Sequence, residues 1–321
     1  MKSDLGTTIF RILQNLAAQV GLRPNSGLSS CFFRRFLHNF SMSNLQLKNF
    51  NQRFQQTLRA RQSLLCIGLD PDLQKLPAGL PRSAEGVSIF CNEIIAAARE
   101  FAAAFKINFA FFEALGKSGW EALQTVAAAL PDDAIKIADA KRGDIGNTAR
   151  LYAEAIFREL PFDAVTVNPY LGEDAAQPFL EDASKGAFFL CRTSNPGSGE
   201  IQNFPDRTRP LYLHVAAQVR EWNKNDNAGL VVGATHPREL QQVRKVSPEL
   251  PFLIPGVGAQ GGDLETAVRT GATATGDLAI INASRSIIFA EAGNNFAETA
   301  AREARRMRDE MRNVLLAAPN K

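Results

Sequence analysis

At 321 residues the chain has room for one large domain or two small ones. Its composition, 45% hydrophobic and 21% charged, is that of a globular protein, and no apolar run approaches the roughly 20 residues of a membrane-spanning helix, which argues against a membrane protein. The net charge of +3 is uneven: residues 1–69 carry nine Lys/Arg against one acid, Asp4, so the rest of the chain is mildly acidic and lacks the clustered bases of a nucleic-acid surface.

Residues 1–41 contain Arg and Ser and are poor in acids. Two readings compete: a transit-type targeting segment, and a dispensable extension with Met42 as an alternative start. The second is preferred, giving a disordered extension over 1–45 and one folded domain over 46–321. That domain opens with "NFNQRFQQTLRARQ", where Phe50, Phe54 and Leu58 have helical spacing.

From residue 64 a short apolar run, a polar loop and an amphipathic stretch recur. The runs are "LLCIGLD" (64–70), "AFKIN" (104–108), "AIKIADAK" (134–141) and "AVTVNP" (164–169), then "GAFFLCRT" (186–193), "GLVVGAT" (229–235), "FLIPGV" (252–257) and "LAIINASR" (278–285). Helix-like segments such as "SIFCNEIIAAAREFAAA", "NTARLYAEAIFREL" and "HPRELQQVRKVS" lie between them, and "NFAETAAREARRMRDEMRNVLL" closes the chain. Strands alternating with helices imply a parallel sheet. Eight such units predict an α/β fold, the (β/α)8 TIM barrel, ahead of a doubly wound sheet, with function at the C-terminal ends of the strands.

The third run ends in "DAKRGDIGNTA" (139–149). Strand alternation points Asp139 and Lys141 the same way. Lys106 ends the neighbouring run, and Asp144 follows the turn at Gly143. These four predict a line of alternating charge at the barrel mouth. A self-satisfied ion-pair cluster is the bland alternative, but buried pairs contribute little net stability, so a functional array is favoured.

Elsewhere, "GVGAQG" (256–261) satisfies the dinucleotide fingerprint G-x-G-x-x-G, but it follows the seventh run, whereas that fingerprint normally follows the first. Loops after barrel strands seven and eight commonly bind phosphate, which makes Gln260 and Arg285 phosphate candidates. Asp70, in "GLDPD", ends the first run. Asp72 suits a turn start. "TSNPGSGE" (193–200) reads as a mobile loop suited to closing over a ligand. His236 reads as a helix-start residue and Trp120 as a packed aromatic. Four cysteines (Cys31, Cys66, Cys91, Cys191) without C-x-x-C spacing read as reduced thiols of a cytoplasmic protein. The separated His38, His214 and His236 give no zinc-ligand spacing.

Six motifs in order, "FKIN", "DAKRGDIGNTA", "VNPYLG", "TSNPGSGE", "IPGVGAQGGD" and "NASRSI", make the chain from about Phe50 onward resemble the orotidine 5′-phosphate decarboxylases, particularly the bacterial type 2 branch. The resemblance implies conversion of orotidine 5′-phosphate to uridine monophosphate and CO2 with no metal or organic cofactor. It makes Lys141 the acid that protonates C6, flanked by Asp139 and Asp144, with Lys106 extending the line. Carboxylates beside Lys141 favour its charged form, and a fixed ammonium stabilises negative charge developing at C6. The resemblance also implies ribose contact by Asp70, pyrimidine contact by Ser194, and a homodimer in which Asp144, Ile145 and Thr148 reach the neighbouring site. A local alternative makes Thr148 a helix cap.

Three rivals remain. One is a magnesium-dependent decarboxylase of a 3-keto sugar phosphate, carrying a similar D-x-K-x-x-D motif. Another is a Schiff-base aldolase using Lys106 or Lys141. The last is a phosphate-binding barrel without turnover.

Overall fold

The computed structural model describes residues 48–206, 208–258, 261–291 and 293–317. The expected disordered extension, with Cys31 and His38, lies outside the described residues. Eight strands close into a barrel in chain order: β1 (Leu65–Leu69), β2 (Ala104–Asn108), β3 (Ile135–Arg142), β4 (Ala164–Val167), β5 (Gly186–Arg192), β6 (Ala228–Val232), β7 (Phe252–Pro255) and β8 (Ala279–Ala283). Every neighbouring pair is parallel, including β1 with β8. The strands are buried on both faces by inner side chains and outer helices, which is why they read as apolar runs rather than alternating ones.

The apolar stripe of the first segment folds as α1 (Phe50–Arg61), with Phe50, Phe54 and Leu58 buried. An Asn49–Gln52 capping box starts this helix. It closes the N-terminal end of the barrel. Phe50 N–H donates to Ala183 O, Arg53 pairs with Asp163 at 2.7 Å just before β4, and Arg59 pairs with Asp277 at 2.6 Å just before β8. Gly186 lets this happen, because a Cβ there would lie 2.4 Å from the Phe50 ring. With one end plugged, the C-terminal end is left for chemistry.

The crossover helices are α2 (Ala84–Ala98), α3 (Gly116–Ala129), α4 (Gly146–Glu154), α5 (Leu211–Trp222), α6 (Pro237–Val246) and α7 (Leu264–Gly271), and α8 (Phe296–Leu316) ends the fold. Side chains of Ser83 and Asp263 accept from the first turns of α2 and α7. The β4–β5 crossover departs from the pattern, passing through short helical turns at Pro169–Leu171, Glu173–Ala176 and Gln177–Phe179. Pro169, Pro178 and Gly172 (φ 90°) account for it, since none of them continues a helix. His236 occupies the N-cap position of α6 without a side-chain cap bond, and Asp72 accepts from Gln74 N–H at a 3-10 turn. Trp120 is 39% exposed and meets Phe109 edge-on. Among the described residues no helix is long and apolar enough to cross a membrane.

Candidate active site

The C-terminal ends of the strands surround a cavity of about 490 Å³. Polar side chains in apolar strands converge there because each occupies an inward position of the alternation: Lys106 on β2, Asp139 on β3, Thr166 on β4 and Asn282 on β8. Lys106 Nζ lies 2.8 Å from Asp139 Oδ2 and 3.5 Å from Asp70 Oδ1. Lys141 Nζ lies 2.6 Å from Asp139 Oδ1, which also accepts from Thr166 Oγ1 at 3.0 Å. Asp139 is thus shared between two cations.

Those cations differ in burial. The Lys106 side chain is 6% exposed and that of Lys141 is 51% exposed. Burial alone would lower the Lys106 ammonium, but Asp139 and then Asp70 outweigh it and hold the group above its ordinary range. Burial would likewise raise the Asp139 carboxyl, yet Lys106 and Lys141 hold it well below the usual carboxylate range. The geometry makes Lys106 an internal anchor and leaves Lys141 reaching into the cavity. Cys66, beneath Lys106, is pushed up to about 12 by burial and is a neutral thiol, not a nucleophile.

The predicted line of four is revised. Asp144 is absent from the cavity lining, and its carboxylate accepts from Ile145 N–H at 2.8 Å. Asp70, 3.5 Å from Lys106, rather than Asp144 completes the array within one chain. Ile145 is 60% exposed and Thr148 is exposed, both outside the cavity. Thr148 is not the cap of α4, since Ile145 holds that position and makes no side-chain cap bond. Ser194, Gly256 and Arg285 line the cavity as expected from their strand-end positions, and Val257 lines it as well. Gln260 lies outside the described residues.

The segment read as a mobile loop is internally braced. Arg192, 4% exposed at the end of β5, donates to Thr193 O, Ser198 Oγ and Gln202 Oε1. Gln202 also accepts from Thr193 N–H at 2.9 Å and donates to Thr193 Oγ1 at 2.7 Å, and Ser198–Gln202 is helical. Side chains beyond the quoted motif hold it in shape, and their pairing is invisible in a linear reading. Thr166, Asn282 and Gln202 also line the cavity and were missed. A polar residue at an inward position of an apolar run, as in "AVTVNP" and "IINA", is the signal that could have found the first two.

A sequence model described as the orotidine 5′-phosphate decarboxylase / HUMPS family matches residues 63–300. The chain is 50% identical over 270 residues to an orotidine 5′-phosphate decarboxylase of Roseiflexus sp. (strain RS-1), covering 84% of this chain and 99% of that protein. Among solved structures it is similar to an OMP decarboxylase of Leishmania donovani, with 38% identity, a TM-score of 0.75, and coverage of 84% of this chain and 100% of that one. It is also similar to the Leishmania donovani UMP synthase, with 39% identity and a TM-score of 0.76 over 84% of this chain, and there it spans only 57% of the longer chain. With most of its barrel matched, the chain belongs to the orotidine 5′-phosphate decarboxylase / HUMPS family.

Proposed function

We propose that this chain decarboxylates orotidine 5′-phosphate to uridine 5′-phosphate with Lys141 as the proton donor, and the observation that carries the reading is the half-exposed Lys141 ammonium held 2.6 Å from Asp139 at the cavity. The C6–carboxylate bond breaks, CO2 departs, and the electron pair stays on C6. Lys141 delivers a proton to that carbon and is left as a neutral amine, which regains a proton from water. The ammonium stabilises the growing charge without having to move into place. The Asp139 carboxylate beside the departing group adds repulsion in the ground state, relieved as CO2 leaves.

Asp70, which lines the cavity with a carboxylate only partly covered, is assigned to accept from a ribose hydroxyl. Ser194 is assigned to the pyrimidine edge. Arg285, with Gln260 and the backbone at Gly256–Val257, is assigned to the phosphate. In the same reading Asp144, Ile145 and Thr148 enter a second subunit's site, and the exposed apolar Ile145 supports a homodimer. The buried free thiols Cys66, Cys91 and Cys191 support a cytoplasmic setting. Residues 46–321 form the catalytic domain and 1–45 the extension.

An aldolase is disfavoured by the cation-stabilising surroundings of Lys106, which oppose the neutral amine a Schiff base needs. The test is absorbance loss of orotidine 5′-phosphate with purified protein in excess EDTA, alongside Lys141→Ala. Turnover that survives EDTA and vanishes in the variant, with uridine 5′-phosphate still bound, is expected. Turnover retained by Lys141→Ala would refute the reading, and loss of activity in EDTA would favour the magnesium-dependent sugar-phosphate enzyme.

A further inference from the structure

Lys141 has a backbone φ of +46°. That left-handed conformation is unfavourable for any residue with a Cβ, and here it falls inside a strand. The pairing of β3 with β4 shows why. Ile137 and Ala138 pair with Ala164 and Val165, but the next pair is Arg142 with Val167. Between them β3 spends three residues, Asp139 to Lys141, where β4 spends one, Thr166. The ladder is broken at the residues that carry the chemistry.

One side chain replaces the missing ladder bond. Lys141 N–H donates to Thr166 Oγ1 at 2.9 Å, and Thr166 Oγ1 donates to Asp139 Oδ1 at 3.0 Å. The direction of both bonds is fixed, because a backbone N–H only donates and a carboxylate only accepts. Thr166 is 1% exposed, so water does not substitute for it. Its proton occupies part of the same Asp139 oxygen that receives Lys141 Nζ, limiting where the ammonium can sit.

We propose that Thr166 is a positioning residue, whose hydroxyl holds the bulged Lys141 backbone and the Asp139 carboxylate in the arrangement that aims the Lys141 ammonium into the cavity. This rests on Lys141 being the proton donor. The plain alternative is a β-branched residue filling a strand position, a role valine would serve equally well. The two differ in which substitution is tolerated.

The test compares Thr166→Val, which keeps shape and removes the hydroxyl, with Thr166→Ser, which keeps the hydroxyl and removes a methyl. Steady-state kcat and KM for orotidine 5′-phosphate and thermal unfolding are measured on each, with Lys141→Ala as control. Loss of a buried hydrogen bond to a charged group should lower kcat of Thr166→Val about tenfold to a hundredfold, with KM changed by less than about threefold. Thr166→Ser should keep kcat within about threefold of wild type even if its melting temperature falls. A Thr166→Val kcat near wild type, beside an inactive Lys141→Ala, overturns the proposal alone. So does a folded Thr166→Ser enzyme whose kcat falls tenfold or more below wild type, a result that stands even if the valine variant does not fold. Turnover in Lys141→Ala overturns both the proposal and the reading beneath it.

Discussion

Replacing Lys106 by Met should destabilise the barrel far more than replacing Lys141 by Ala, although both lysines pair with the same aspartate. Lys106 Nζ bridges Asp139 at 2.8 Å and Asp70 at 3.5 Å with a 6% exposed side chain. Removing one partner of a buried pair costs about 3–5 kcal/mol, because the remaining charge stays buried without compensation. Lys141 still neutralises Asp139, so the lower end applies, about 3 kcal/mol. For a domain of this size that is a fall in melting temperature of about 6–12 °C. Lys141 is 51% exposed, and an ion pair so open to water contributes about 0–1 kcal/mol, a shift of less than about 4 °C. Thermal and urea unfolding of the two variants measure the difference. Equal losses would refute the division into a buried anchor and a cavity-facing donor.

Asp139, held low, contributes stability that is complete above the ordinary carboxylate value of about 4 and is lost as pH falls. Lys106, held high, contributes stability that is complete below about 10.4 and is lost as pH rises. Urea midpoints across pH should therefore fall on both the acid and the alkaline side, and Asp139→Asn should flatten both limbs; unchanged limbs in that variant would contradict the assignment. Arg192→Met should release the 193–202 segment and raise KM about tenfold with a smaller change in kcat, and an unaltered KM would show that the bracing does not serve binding.

The barrel was legible because its determinants are local. Strand runs bounded by turn residues fixed "AFKIN" at 104–108 to the residue, and the Phe50, Phe54, Leu58 stripe fixed α1. Alternation made the Lys106–Asp139 pair legible for the same reason, whereas Lys141 meets Asp139 across a bulge in β3 that alternation does not describe. Its limits lie where position depends on pairing between distant segments. Asp144 fell out of the array because it lies beyond the end of β3 at Arg142, where strand alternation no longer decides which way a side chain faces. The bracing of 193–202 depends on Arg192 meeting Gln202, ten residues on, across a fold that only the packed loop creates. Thr166 was hidden among β-formers, and only the β3–β4 register slip gives its hydroxyl two partners.

Why so much charge gathers where a strand meets the core follows from counting donors. Asp70, Lys106 and Asp139 offset their desolvation by pairing with one another, which yields little net stability. Lys106 is committed between two carboxylates. An ammonium has three N–H donors, and among the described residues Lys141 Nζ makes one hydrogen bond, to Asp139. Its other donors remain for the cavity. The array therefore presents a cation on its open side whose direction is set in advance by Asp139 and, through the bulge, by Thr166. Apolar residues would fill the space at similar or lower energetic cost. Under the proposed mechanism they would leave nothing to meet a carbanion as it forms, and that proposal is what accounts for four charged residues at the open end.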